Sequence, residues 1–129
     1  MKTRKVEVAI IGAGTAGLSA RREVAKLTND YVVIDDGELG TTCARVGCMP
    51  SKALIQAAND FHHRHKLEAY GVSGVEGLAI DRDAAMGHMR GLRDHFVGFV
   101  KRGIAEWSDT HLIRRRAKFA SPNLLDQVN

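Results

Sequence analysis

The opening of the chain switches from a β pattern to a helical pattern and back. Residues 6–11 form a β-branched, apolar run, which predicts a buried parallel strand. Residues 12–17 are rich in glycine and follow directly. A helix is predicted next from apolar residues at helical spacing, namely Ala16, Ala20, Val24 and Leu27. Residues 28–30 predict a turn and residues 31–34 a second strand, so this part of the chain indicates an α/β fold.

Two longer helical patterns follow. The first begins near Pro50, reaches the segment around Leu67, and has apolar positions at Leu54, Ala57, Ala58 and Phe61. A glycine-punctuated loop at 71–77 comes next, and Asp81 is expected to cap the second helix. The apolar stripe of that helix, which we expect to be core or subunit contact, consists of Ala85, Met89, Leu92, Phe96, Phe99 or Val100, Ile104 and Trp107.

The C-terminal part is predicted to be extended. Residues 108–109 indicate a turn, 111–119 a strand, and 121–123 a second turn before a short extended end. The run 114–116 consists of three arginines and is expected to be a strand segment with solvated side chains. The remaining basic residues are spread along the chain, so the formal charge of +4 does not indicate a nucleic-acid binder.

Composition places the chain among ordinary globular proteins. A length of 129 residues predicts one domain with a real core. No apolar run is long enough to span a membrane, and Glu7 interrupts the apolar stretch that otherwise resembles a signal peptide. Two cysteines are too few for a secreted disulfide scaffold, so a cytoplasmic location is expected.

The glycine segment fits a dinucleotide fingerprint, because it lies between a predicted strand and a predicted helix. Gly12 would allow a tight turn, Gly14 would let a pyrophosphate approach the backbone, and Gly17 would let helix and strand pack closely. Asp35 ends the second predicted strand, where this fold usually places a carboxylate on the ribose hydroxyls. FAD or NAD is therefore expected rather than NADP. A glycine turn without a ligand is the alternative.

Both cysteines lie at the start of a predicted helix. Pro50 near the first helical turn would place Cys48 where N–H groups and the helix dipole favour a thiolate. Four interpretations of Cys43 and Cys48 compete: a structural staple, a zinc site, unrelated free thiols and a redox-active dithiol. A staple of so short a loop would contribute only about 2 kcal/mol. Zinc would need ligands such as His62, His63 and His65, whose spacing fits poorly and which are expected to face solvent.

Residues 40–52, which read GTTCARVGCMPSK, resemble a known signature. The pattern Gly-Gly-Thr-Cys-x-x-x-Gly-Cys-x-Pro-Ser-Lys is typical of the flavin- and pyridine-nucleotide-dependent disulfide oxidoreductases, and the segment is most similar to dihydrolipoamide dehydrogenases. Thr41 stands where the family has its second glycine, and Ala44 and Arg45 replace the usual Leu-Asn pair. Arg45 is expected to favour a thiolate by adding positive charge.

The resemblance implies a Rossmann-like, three-layer FAD-binding domain with a parallel sheet and a helical excursion. Residues 1–129 correspond to the N-terminal portion of that domain, without the NAD-binding and interface domains of the family. We therefore expect that the chain alone cannot turn over NADH. The family is homodimeric, and an open strand edge near the C-terminus would invite self-association of this chain.

The resemblance also implies residue roles. Cys43 is the interchange thiol, Cys48 the thiolate that contacts the flavin ring, and Lys52 a cation near the flavin. Electrons pass in the family from dihydrolipoamide to the disulfide, to FAD and to NAD. No metal site is assigned, and the implied FAD-binding residues are Gly12, Ala13, Gly14, Thr15, Ala16, Gly17, Asp35, Asp36, Gly40, Thr41, Thr42, Cys43, Gly47, Cys48, Lys52 and Ala120.

Other functions stay open. Mercuric reductases and other disulfide reductases share the dithiol signature, although Ser51 before Lys52 favours the lipoamide or mercuric type over the glutathione type. A nucleotide-binding module without chemistry and a small zinc protein are alternatives from other classes. A flavin spectrum and a metal analysis would separate these alternatives.

Overall fold

The computed structural model describes residues 3–128. Its helices and strands, in chain order, are β1 (Val8–Ile11), α1 (Thr15–Val24), β2 (Tyr31–Ile34), α2 (Thr42–Arg45), α3 (Cys48–Leu67), α4 (Arg82–His111), β3 (Leu112–Ile113), β4 (Arg116–Ser121) and β5 (Leu124–Val128). The chain divides into two compact units, one made of the residues up to Thr42 and from Gly98 onward, the other of Cys43–Val97.

The first unit contains a parallel sheet in the order β1-β2-β3. Val8 pairs with Tyr31 at one end of β1, and Val33 pairs with Leu112 on the other side of β2. All four residues of β2 are buried, as expected for an apolar strand with a neighbour on each edge. The predicted parallel sheet and the predicted strand 31–34 are therefore confirmed.

The core of this unit lies between the sheet and two helices. Ala13, Tyr31, Val33, Ile104 and Trp107 form one buried cluster. Tyr31 and Val33 are the largest fully buried side chains among the described residues. The ring of His111 stacks on that of Tyr31, with centroids 4.0 Å apart. The end of α4 is thus held against the middle strand.

The buried face of α1 differs from the predicted one. Leu18 and Val24 pack against the core cluster, whereas Ala16 and Ala20 are exposed and Leu27 is 88% exposed. Gly17, in the first turn of α1, lies in close contact with Gly12 of the glycine loop, and this contact orients the helix so that Leu18 faces the sheet. The helix also ends at Val24, so that Leu27 lies beyond it.

The long apolar helix is confirmed as α4, with 30 residues. The Asp81 carboxylate accepts hydrogen bonds from the N–H groups of Asp83 (2.9 Å) and Ala84 (3.0 Å), as a capping residue does. Within the stripe, Val100 packs on the core and Phe99 is 70% exposed, so Val100 is the inward member of the two candidates.

The predicted turn at 108–109 is wrong, because α4 continues to His111. The predicted strand 111–119 is two strands. β3 pairs with β2, while β4 pairs antiparallel with β5 in a separate two-stranded sheet. A turn at 122–123 joins β4 and β5, in agreement with the predicted turn. Residues 114–115 lie outside both sheets, so the arginine run straddles the break instead of forming one strand.

The second unit consists of α2, α3, two single 3-10 turns (Glu68–Tyr70 and Val75–Gly77) and the start of α4. Along α3, Leu54, Ala57 and Phe61 are half-buried as predicted, while Ala58 is exposed. The three histidines of α3 are exposed. Residues 3–128 contain no cluster of three or more His, Cys, Asp or Glu side chains suited to a metal ion. None of the described helices is long and apolar enough to cross a membrane.

Candidate functional site: a glycine loop and a dithiol

The glycine loop joins β1 to α1 in a conformation that needs glycine. Gly12 has a φ of +98°, in the region that L side chains rarely adopt. Its N–H donates a 2.7 Å hydrogen bond to the Ile34 carbonyl, which ties the loop to the end of β2. A Cβ atom on Gly17 would lie 1.8 Å from the Gly12 carbonyl oxygen. Both glycines therefore have the turn and packing roles that the spacing predicts.

The N-terminus of α1 is open to an anion. Gly14 is the N-cap residue, and a Cβ atom built on it would meet nothing within 4 Å. In the described part of the chain, no side chain caps this helix and its first turn holds no acidic residue. Thr15 and Ala16 are exposed in that turn. Uncapped N–H groups and the positive end of the helix dipole are the features that bind a pyrophosphate, so this loop fits the phosphates of FAD.

Asp35 lies beside this loop. One carboxylate oxygen accepts a 2.5 Å hydrogen bond from the Ala13 N–H, and the other accepts a 2.7 Å bond from the Gly37 N–H. The predicted ribose-binding carboxylate is therefore held at the loop, whereas its neighbour Asp36 is exposed. Arg114 also contacts Asp35, with 3.4 Å between Nη1 and Oδ1.

Sequence reasoning missed Arg114, which was expected to be solvated. A signal was available: Arg114 directly follows a strand, and the carboxyl ends of parallel strands meet at one edge of a sheet. The Asp35 N–H donates a 3.1 Å bond to the Ile113 carbonyl, and this contact brings the ends of β2 and β3 together.

The two cysteines belong to consecutive helices of the second unit. Cys43 lies in α2 and is half-buried, whereas Cys48 is the first residue of the 20-residue α3 and is exposed. Both are free thiols. Gly47 is the N-cap of α3, and within the described residues no side chain caps this helix and no acidic residue occupies its first turn. Cys48 thus occupies the helix N-terminus that the position of Pro50 predicts.

Cys43 interacts directly with Cys48. The pKa of Cys43 is raised, first because its thiol hydrogen-bonds to the Cys48 side chain, then because of partial burial and the repulsion of a negative charge on Cys48. A backbone hydrogen bond at Cys48 and the ammonium of Lys52 act in the opposite direction. The ammonium of Lys52 is thus a cation that lowers the pKa of Cys43, while the expected effect of Arg45 on the thiols stays a prediction.

The segment before the dithiol is held in unusual backbone conformations. Gly40 is buried with a φ of +117°, and Thr41 has a φ of +63°. Thr41 is the only non-glycine residue with positive φ between residues 3 and 128. Thr42 then begins α2. Thr41 therefore adopts a glycine-like conformation at the place where the dithiol signature has glycine.

Ala120 is the last of the predicted cofactor contacts. It lies in β4, at the irregularity between Phe119 and Ser121 where the pairing with β5 shifts, and it is exposed. The structure thus brings the predicted residues together in two groups. Ala13 shares a hydrogen bond with Asp35 and Gly12 is in close contact with Gly17, while Cys48 and Lys52 both act on the pKa of Cys43. No described contact joins Ala120 to the glycine loop.

The chain belongs to the pyridine nucleotide-disulphide oxidoreductase family, which it matches over residues 6–112. This membership confirms the class that the dithiol signature predicts. Fold and family together confirm the predicted Rossmann-like α/β class and support FAD as the cofactor.

Relatives in this family include dihydrolipoyl dehydrogenases. The chain is 34% identical to the mitochondrial enzyme of Pisum sativum over 91% of this chain and 23% of that protein. It is 28% identical to the enzyme of Geobacillus stearothermophilus over 97% of this chain and 26% of that protein. The chain thus spans about a quarter of the length of these relatives.

A solved structure shows the same fold. The HOCl-induced flavoprotein disulfide reductase of Escherichia coli, determined as a Cu(II) complex, superposes with a TM-score of 0.64. The superposition covers 94% of this chain and 24% of that protein, at 20% sequence identity. At this identity the likeness concerns the fold alone.

Proposed function

We propose that this chain supplies the FAD-binding loop and the redox dithiol of a dihydrolipoyl dehydrogenase. The observation that carries the proposal is the pair of free cysteines on consecutive helices, Cys43 in α2 and Cys48 at the N-terminus of α3, where Cys48 raises the pKa of Cys43. Two thiols that already interact can close into a disulfide with little movement, and two electrons are exchanged when they do so. Because dihydrolipoyl dehydrogenases are among the relatives, we propose dihydrolipoamide as the substrate and not mercuric ion.

Different residues of this chain are proposed to bind different parts of FAD. The N–H groups at the start of α1 hold the pyrophosphate, and Gly14 leaves the space for its approach. The Asp35 carboxylate holds the ribose hydroxyls. By the resemblance to the family, Thr42 and Lys52 would contact the flavin end of FAD, and Ala120 the adenine end. FAD, when bound, supplies the two-electron acceptor for the reduced dithiol.

The dithiol carries out thiol–disulfide exchange. A thiolate of dihydrolipoamide attacks the Cys43 sulfur of the oxidised pair, so that the Cys43–Cys48 bond breaks and a mixed disulfide forms. The second substrate thiolate then attacks its own sulfur in that mixed disulfide and releases Cys43. The substrate is oxidised to a disulfide, and the pair is reduced to two thiols. The raised pKa of Cys43 keeps its proton in place as a hydrogen-bond donor toward Cys48.

NAD binding and a dimer interface are proposed for the whole protein, since the chain spans about a quarter of the length of the relatives it matches. We therefore expect no NADH turnover by the 129 residues alone. A cytoplasmic location and self-association through an exposed strand edge are part of the same proposal. A monomer in sedimentation at high concentration would contradict the self-association.

Reconstitution with FAD tests the proposal. The chain is incubated with FAD, freed of excess cofactor and reduced with dithiothreitol. We expect a long-wavelength absorption band that persists in Cys43→Ser and is lost in Cys48→Ser, because only Cys48 is proposed to contact the flavin. Bound flavin without the band in the unchanged chain would indicate a nucleotide-binding module without dithiol chemistry. A band that survives in Cys48→Ser would overturn the residue roles.

A further inference from the structure

At the carboxyl ends of the parallel strands, Arg114 links the end of β3 to the turn after β2 and, through Asp35, to the glycine loop. It follows β3 directly, and its guanidinium reaches the turn after β2. Nη2 donates a 2.6 Å hydrogen bond to the Gly37 carbonyl, and Nη1 lies 3.4 Å from Oδ1 of Asp35. Since Asp35 also accepts a bond from the Ala13 N–H, the guanidinium, the carboxylate and the glycine loop form one connected network.

This network is poorly suited to a purely stabilising role. The Arg114 side chain is 46% exposed and the ion pair with Asp35 is long. Exposed ion pairs of this kind contribute little to folding. The fork of a guanidinium, however, fixes direction as well as distance. Here one branch holds the carbonyl of Gly37 and the other the carboxylate of Asp35, so that the turn at 35–37 is held from both ends.

The direction of the Asp35 carboxylate matters because both of its oxygens already accept backbone N–H groups, one from Ala13 and one from Gly37. A ribose hydroxyl must use the remaining lone pairs, which point in directions set by the rotation of this carboxylate. The carboxylate is only 19% exposed, so few directions lead outward. A residue that fixes the rotation therefore fixes where the hydroxyls can bind.

We propose that Arg114 is a positioning residue for nucleotide binding, which acts through Asp35 by orienting the carboxylate toward the ribose hydroxyls. This inference rests on the proposed role of Asp35 in holding the ribose. It predicts that Arg114 affects the selectivity for the 2′-hydroxyl, and not only the overall affinity.

Calorimetry with ADP and 2′-deoxy-ADP measures this selectivity. Each variant is titrated with both nucleotides, and the ratio of the two dissociation constants gives the benefit of the 2′-hydroxyl. A variant that is partly unfolded binds both nucleotides more weakly by the same factor, so the ratio reports orientation and not folding. We expect a ratio of about ten in the unchanged chain, as for a hydrogen bond to a charged group.

The variants separate the inference from the proposal on which it rests. Asp35→Ala should bring the ratio close to one, and Arg114→Ala should lower it to about three. Arg114→Lys should give a value between those of Arg114→Ala and the unchanged chain, because an ammonium keeps the charge and loses the fork. Arg116→Ala is the matched control from the same arginine run and should keep the full ratio.

Two results would overturn the inference in different ways. If Asp35→Ala abolishes the ratio and Arg114→Ala leaves it unchanged, Asp35 holds the ribose and Arg114 does not orient it. If the unchanged chain binds ADP with no preference over 2′-deoxy-ADP, or does not bind it, the role of Asp35 fails together with that of Arg114.

Discussion

Thr41 has a strained backbone conformation, and substitution by glycine should remove this strain. Its φ of +63° lies in the left-handed region, where a β-branched residue is an outlier. This conformation costs an L-residue about 1–2 kcal/mol relative to glycine. Glycine recovers that energy, but it also makes the unfolded chain more flexible, which offsets about 0.5–1 kcal/mol. Relative to Thr41→Ala, which also lacks the hydroxyl, Thr41→Gly is therefore expected to raise the free energy of unfolding by about 0.5–1 kcal/mol.

Urea denaturation followed by circular dichroism measures this change. The midpoint should rise without a change in the slope m, because the same surface is exposed on unfolding. Thr41→Ala is the sharpest comparison, since it removes the hydroxyl as glycine does and keeps the Cβ atom at positive φ. The glycine variant should be the more stable of the two by about 0.5–1 kcal/mol.

The neighbouring threonine provides a matched control. Thr42 begins α2, where glycine is the poorer helix former. Thr42→Gly should therefore lower the stability by a few tenths of a kcal/mol, roughly the propensity difference. The reasoning about strain is wrong if Thr41→Ala is as stable as Thr41→Gly, or if both glycine variants lose stability alike.

Two further predictions concern packing and protonation. Gly17→Ala should destabilise the protein by more than about 2 kcal/mol, because the new Cβ would overlap the carbonyl oxygen of Gly12 and overpacking typically costs about 1–3 kcal/mol even without a backbone clash. Gly87 lies on α4 and a Cβ there would meet no neighbour. Gly87→Ala should therefore stabilise the protein by about 0.5–1 kcal/mol, and thermal unfolding of both variants measures these changes. Alkylation of Cys43 by iodoacetamide, followed by mass spectrometry, should be slow at neutral pH and should accelerate only at alkaline pH, because its pKa is raised. Lys52→Ala should shift that rise to still higher pH, since the ammonium lowers the pKa of Cys43; a rate independent of pH, or a shift to lower pH, would contradict the assignment.

Much of the site could be predicted because its chemistry depends on local spacing. A strand, a glycine turn and a helix must follow one another directly to form the phosphate loop, and Gly12 and Gly17 have the predicted conformation and packing. Likewise, the interaction of Cys43 with Cys48 needs only four intervening residues and the start of a helix.

Other features depended on contacts between distant segments. The pattern predicts one strand over residues 111–119, but only residues 112–113 pair with β2, residues 116–119 pair with β5, and residues 114–115 lie between the two sheets. The same break turns Arg114 toward Asp35, which lies 79 residues earlier in the chain. Arg114 and Arg116 differ only in their place in the fold, since Arg114 directly follows β3 and Arg116 begins β4.

The sequence by itself therefore determined the family, the spacing of the two cysteines and the order of the βαβ unit, since each depends on neighbours along the chain. Only the tertiary structure decided which face of α1 is buried, where the last strands pair and what holds Asp35. These features depend on the register of the sheet, which arises from the sum of many weak contacts between remote residues.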